Sequence, residues 1–165
     1  MNPNIENLKV LIVEPNSNMR SLIKDILRNS FFMRDIQEAS TMESAFKAIN
    51  ASPPDILFTE KVMDPINGID FTRFLRTSPK SPKPEMSIIM LTGETDVETL
   101  TLARDAGVTE FMAKPFTAQA IMARLNAVIK RPRPFIQVKN YSGPDRRRRV
   151  VAPEETGERR NSISQ

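Results

Sequence analysis

The chain has 165 residues with no cysteine, no histidine and no tryptophan, and 24 Lys+Arg against 20 Asp+Glu. That composition excludes disulfides, thiolate nucleophiles, sulfur-ligated metals and imidazole acid–base chemistry, and with them most hydrolase and metalloenzyme mechanisms. The length suits one domain with a segment to spare, and neither a bilayer-length apolar run nor an export signal is visible, so a soluble, cytoplasmic protein is expected.

Residues 8–13, LKVLIV, form a short apolar run ending in Glu14 and Pro15, which reads as a buried strand followed by a loop. Met19, Leu22, Ile23, Ile26 and Leu27 then recur at helical spacing over about 17–29. Residues 34–39 make a weaker strand. Ser40 with Glu43 forms a capping-box pattern for a helix bearing Met42, Ala45, Phe46 and Ile49, closed by Pro53 and Pro54. DILFTE, 55–60, is the third strand. A loop containing Pro65 and Gly68 leads to a helix with Ile69, Phe71, Phe74 and Leu75, and then to the proline-laden TSPKSPKPE. SIIMLT, 87–92, is the fourth strand. Thr95 with Glu98 offers a second capping box, and Gly107 stops that helix. TEFMA, 109–113, is the fifth strand, and Ile121, Leu125, Val128 and Ile129 mark the last helix. Five strands alternating with five helices imply an α/β fold: a parallel sheet with helices on both faces, in the flavodoxin-like order 2-1-3-4-5.

In such a sheet, function gathers at the carboxyl ends of the strands. Those ends carry Glu14 and Pro15 after the first strand, Glu60 on the third, Thr92 on the fourth and Lys114 after the fifth. Two carboxylates, a hydroxyl and an ammonium are thus brought to one edge.

The blocks VLIVEPNSNMR, DILFTEKVMDPINGIDF, IIMLTGETD and GVTEFMAKPF, in this order over about residues 8–130, resemble the response-regulator receiver family of the chemotaxis protein CheY. The resemblance implies a Mg²⁺ site built on an acidic pair after the first strand, a phosphoacceptor Asp ending the third, and a Thr and a Lys that sense the phosphoryl group. Thr92 and Lys114 match the last two. It also implies a cis Lys114–Pro115 peptide and an aromatic switch at Phe111.

The departures fall on the chemistry. Pro15 replaces one of the acidic pair, leaving Glu14, and Glu60 stands at the phosphoacceptor position. The loop proline is shifted by one, to Pro65 after Asp64. Mg²⁺ needs near-octahedral oxygen geometry, so its binding is expected to be weak or absent and the domain is expected not to phosphorylate itself. Glu60 is expected to face Lys114 in a degenerate pseudo-receiver that is not an enzyme.

Residues 1–130 carry 15 basic and 16 acidic side chains, whereas residues 131–165 carry 9 and 4, a net of +5. Pro132 and Pro134 close the last helical pattern, which sets the boundary between a receiver domain (1–130) and an arginine-rich extension (131–165). Four prolines and few apolar residues leave that extension largely disordered, or draped on the domain, until a ligand arrives.

The extension contains Arg146, Arg147, Arg148 and Arg149 in one run and Arg159 with Arg160 beyond it. Arginine rather than lysine points to planar, forked recognition: guanidinium stacks on aromatic rings and donates to guanine O6 and N7. Asp145 and the Glu154–Glu155 pair supply acceptors for a guanine amino edge, and Tyr141 can pack on the domain or stack on a ligand. Receivers with such an extension resemble the CheY-like cyclic di-GMP effectors of bacterial flagellar motors. The resemblance implies cyclic di-GMP binding by these arginines. It also implies docking on a flagellar motor switch component through the last two strands and helices, Thr95–Ala106 and Phe111 included. Two other readings stand beside it: a phosphorylatable single-domain response regulator, and a receiver-like adaptor whose extension binds nucleic acid or anionic lipid.

Overall fold

The computed structural model describes residues 4–147. After a short 3₁₀ turn at Ile5–Asn7, the chain alternates strand and helix. The order is β1 (Lys9–Val13), α1 (Ser17–Phe31), β2 (Asp35–Ala39), α2 (Met42–Ala51), β3 (Ile56–Glu60), α3 (Gly68–Thr77), β4 (Ser87–Thr92), α4 (Val97–Ala106), β5 (Glu110–Ala113) and α5 (Ala118–Lys130). The five strands form one sheet in the order β2-β1-β3-β4-β5, every pair parallel. This is the flavodoxin-like arrangement that the alternation of elements predicts.

The near-continuous apolar character of β1, β3 and β4 follows from burial on both faces. Along β1 the side chains alternate. Val10 and Ile12 join Phe58, Ile89 and Leu91 beneath α1 and α5, which contribute Ile23, Leu27, Ile121 and Leu125. Leu11 and Val13 join Leu57 and Ile88 on the other face, beneath Met42, Ala45 and Ile49 of α2 and Phe71 and Leu75 of α3. A smaller group of Ile69, Met90, Ala103, Ala106 and Val108 seats α4, with Phe111 packed at its edge.

Two helix starts differ from the capping patterns. At α2 the reciprocal box is made by Thr41 and Ser44, not Ser40 and Glu43. Thr41 Oγ1 accepts from Ser44 N at 3.1 Å and Ser44 Oγ accepts from Thr41 N at 3.2 Å. At α4 the cap is Asp96, whose Oδ1 accepts from Thr99 N at 2.9 Å, rather than Thr95. A carboxylate at the positive end of the helix is the stronger acceptor, and that hydrogen bond holds the Asp96 carboxyl below its ordinary range.

The larger difference lies after α5. Of the two expectations for the extension, disordered or draped on the domain, the second describes Phe135–Pro144, which forms an antiparallel hairpin of β6 (Phe135–Val138) and β7 (Tyr141–Pro144), with Val138 opposite Tyr141. The hairpin does not bury against itself. Its second strand lies against α3 and α4, and the ring of Phe135 sits 5.6 Å from the Arg76 guanidinium carbon.

Arg76 is the largest fully buried side chain, at 2% exposure. Nε donates to Gly107 O at 3.0 Å, Nη1 to Met86 O at 2.6 Å and to Pro84 O, and Nη2 to Thr109 Oγ1 at 3.3 Å. Its own carbonyl accepts from Ser142 Oγ of the hairpin at 3.0 Å. Contact is close enough that two glycines meet: a Cβ on Gly143 would stand 3.0 Å from the Gly107 Cα and 2.7 Å from the Tyr141 hydroxyl. Gly107 itself caps α4 at φ 106°, in the left-handed region.

Because several buried carbonyls depend on one guanidinium, Arg76→Met is expected to cost about 3 kcal/mol. Truncation after Lys130 is expected to destabilise more than truncation after Arg147. Urea denaturation checks both, and equal midpoints for the two truncations would show that the hairpin adds no stabilising contact.

Candidate functional site

Parallel pairing puts the strand ends level. Val13 pairs with Thr59, Glu60 with Leu91 and Thr92 with Ala113, so Glu14, Glu60, Thr92 and Lys114 emerge on one edge. Glu14 and Glu60 are both deeply buried there, at 2% and 6% exposure. Between them lies Lys114, whose Nζ is 2.9 Å from Glu14 Oε2 and is also paired with Glu60 Oε2. The other oxygens face the backbone: Glu14 Oε1 accepts from Asn16 N at 3.1 Å and Glu60 Oε1 from Val62 N at 3.0 Å. No hydrogen-bond donor other than the ammonium reaches Glu60 Oε2 among the described residues.

Local sequence explains how these side chains are held. The Lys114–Pro115 peptide is cis, as is Asp64–Pro65. Gly68 N donates to Lys61 O at 2.7 Å, and a Cβ on Gly68 would collide with the Glu60 carbonyl, so only glycine lets α3 start this close to β3. Arg20 Nη1 donates to Glu14 O at 2.7 Å and fixes the loop after β1 to the first turns of α1.

Thr92 stands apart from this trio. Its hydroxyl donates to Glu94 O at 3.0 Å and accepts from Glu94 N at 2.9 Å, so it closes the loop after β4. Lys61 pairs with Glu94 across the rim. Phe111 is half-buried.

Burial works against the charge on Lys114, but hydrogen bonds from its ammonium to Glu14 and Glu60, with the charges of both, outweigh it and hold the ammonium above its ordinary range. Two carboxylates and one ammonium leave the pocket with one net negative charge.

The extension supplies a second group. Tyr141 is buried and donates from its hydroxyl to Pro144 O at 2.7 Å. The Arg146 guanidinium carbon lies 4.3 Å from the centre of the Tyr141 ring, and Arg146 Nη1 is 2.6 Å from Asp105 Oδ1 on α4. Asp145 N donates to Pro134 O at 2.7 Å, and Asp145 Oδ1 accepts from Arg147 N at 3.0 Å. Tyr141, Asp145, Arg146 and Arg147 therefore lie together beside α4, around a shallow cavity that Arg104 also lines. Arg148, Arg149, Arg159 and Arg160 lie outside the described residues.

Sequence reasoning missed Arg76, although a signal was present: it lies four residues after Thr72 and seven after Ile69, on the buried stripe of α3. It also missed Arg104, Glu110, Arg124 and Arg133, which β5 and the neighbouring elements draw together only in three dimensions.

A doubly covered parallel sheet with charged groups at its carboxyl edge defines the class as a receiver-like α/β signalling domain. Residues 10–126 match the family described as "Response regulator receiver domain". Among relatives, the chain is 30% identical to chemotaxis protein CheY-3 of Vibrio cholerae over 126 residues, covering 76% of this chain and 95% of that one. It is 32% identical to chemotaxis protein CheY1 of Helicobacter pylori, covering 74% and 97%. Among solved structures, the chemotaxis response regulator CheY4 of Vibrio cholerae superposes with a TM-score of 0.66 at 23% identity, over 73% of this chain and 98% of that one, which attests the shared fold. The chain belongs to the response regulator receiver family. The matched residues end before the hairpin. No helix among the described residues is long and apolar enough to cross a membrane.

With Lys114 held above its ordinary value of 10.5, the folded state binds that proton more tightly than the unfolded chain. The resulting stabilisation is complete below about pH 10.5 and is lost as pH rises through the higher native value. Lys114→Met, which strands two buried carboxylates, is expected to cost about 2 kcal/mol at neutral pH. The gap between wild type and variant is expected to narrow in strong alkali, as read by urea unfolding across the pH range.

Proposed function

We propose that this protein is a non-enzymatic signalling receiver whose pocket is closed by its own lysine and whose input enters through the arginine extension, by binding cyclic di-GMP. The observation that carries the first half is the Lys114 ammonium between Glu14 and Glu60. In that position it pairs with both carboxylates that a phosphorylatable receiver would turn to Mg²⁺. The donor set does not fit that metal. Pro15 offers no ligand atom, the two carboxylates already share a cation, and no group of three His, Cys, Asp or Glu side chains converges among the described residues.

Support for the ligand comes from the extension. Arg146 is fixed on Tyr141 and Asp105, so the arginine run leaves the receiver from a defined point beside α4 rather than from a free end. Clustered guanidiniums meet the guanine edges, ring faces and phosphodiesters of a cyclic dinucleotide. The output surface is α4, β5 and α5 with Phe111, and the relatives named as chemotaxis proteins favour a partner at the flagellar motor.

Titration calorimetry with cyclic di-GMP is expected to show binding to the full chain and at least tenfold weaker binding after truncation behind Arg147, which keeps the hairpin. Arg147→Lys is expected to weaken binding although charge is conserved. No heat with the full chain, or equal affinity for both forms, would discard the ligand. Membership in the receiver family favours the second reading, a phosphorylatable regulator. A stable mass increase on incubation with acetyl phosphate and Mg²⁺ would establish it and overturn the closed pocket.

A further inference from the structure

A cavity of about 270 Å³ opens between α4, β5, α5 and the start of the extension. Its apolar wall is Leu100, Val108 and Phe111, and four guanidiniums surround it, those of Arg104, Arg124, Arg133 and Arg146. One carboxylate lines it, that of Glu110, whose side chain is 15% exposed. Arg124 Nη1 lies 3.4 Å from Glu110 Oε2 and Arg133 Nη2 lies 3.6 Å from Oε1. Both are longer than the roughly 2.7–2.9 Å of an aligned charged hydrogen bond, so both oxygens keep acceptor capacity. Arg104 enters no ion pair among the described residues.

We propose that this cavity is a guanine subsite on the receiver itself, in which Glu110 reads the base. Guanine carries two adjacent donors, N1–H and the N2 amino group, on one edge, and two acceptors, O6 and N7, on the other. A carboxylate accepts both donors and a guanidinium donates to both acceptors. Adenine offers no such pair of donors and would set a ring-nitrogen acceptor against the Glu110 carboxylate. Phe111 and Leu100 supply the face against which a base packs. The volume is at the low end for ligand pockets, which suits one base of a dinucleotide, with its phosphodiester directed toward Arg146 and Arg147. The proposal rests on the cyclic di-GMP reading and deepens it: the arginine extension holds the ligand against the α4–β5–α5 face, where it changes the surface that a partner meets.

The chain has no tryptophan, so Phe111→Trp creates a single reporter at the cavity wall. Cyclic di-GMP is expected to change its emission saturably, with the midpoint found by calorimetry. Glu110→Gln, made in the wild-type background, is expected to weaken cyclic di-GMP at least tenfold and not to weaken cyclic di-AMP, whose ring-nitrogen acceptor the carboxylate opposes. If wild type gives binding heat while the tryptophan emission stays constant and Glu110→Gln binds normally, the base lies elsewhere and the subsite is overturned, with the dinucleotide reading intact. Equal losses of both dinucleotides in Glu110→Gln would also overturn base reading by Glu110. Absence of heat with wild type removes the ligand and the subsite together.

Discussion

A guanidinium has five donors and no acceptor, and burying one without a carboxylate beside it is tolerated only when neutral acceptors surround it. Arg76 meets that condition with the carbonyls of Pro84, Met86 and Gly107 and the hydroxyl of Thr109. Those acceptors belong to the proline-rich connection, the lead into β4 and the turn from α4 to β5. One side chain on α3 therefore sets the relative positions of the segments that carry Thr92, Phe111 and Lys114. Burial lowers its pKa to about 10, which leaves it charged at neutral pH. The hairpin completes the enclosure, with the Phe135 ring facing the guanidinium and Ser142 bonded to the Arg76 carbonyl.

At the carboxyl edge of the sheet, the same logic of buried charge operates with opposite sign. Glu14 and Glu60 are carried there by β1 and β3, and both are deeply buried. Lys114 reaches both from β5 and satisfies most of their charge in place. One ammonium thus serves two carboxylates, while Thr92 is committed to the loop after β4.

The hairpin changes what the extension is. Gly107 against Gly143, Ser142 on Arg76, and Arg146 between Tyr141 and Asp105 make residues 135–147 part of the receiver surface. The arginine run consequently starts beside α4, next to the cavity that holds Glu110 and Phe111. Input and output surfaces of the proposed switch then adjoin each other, so a ligand held by the arginines touches the face offered to a partner without a change having to cross the domain.

Much of this was legible in the residues. Continuous apolar runs such as LKVLIV and SIIMLT mark strands buried on both faces, and their alternation with helical periodicity specifies the parallel sheet and its order, because crossover handedness leaves few alternatives. Their positions at the strand ends already place Glu14, Glu60, Thr92 and Lys114 on one edge. The hairpin was not legible, since Phe135 and Ser142 seat it on Arg76, and Gly143 on Gly107, all more than thirty residues away along the chain. Nor was the choice of Asp96 over Thr95 as helix cap, which a shift of one residue decides. The sequence by itself determined the sheet, its covering helices and which charged groups share an edge, because those depend on periodicity and chain direction. Only the tertiary structure decided that Lys114 bridges both glutamates, that Arg76 is buried, and that the extension docks, because each depends on side chains from segments distant along the chain meeting in three dimensions.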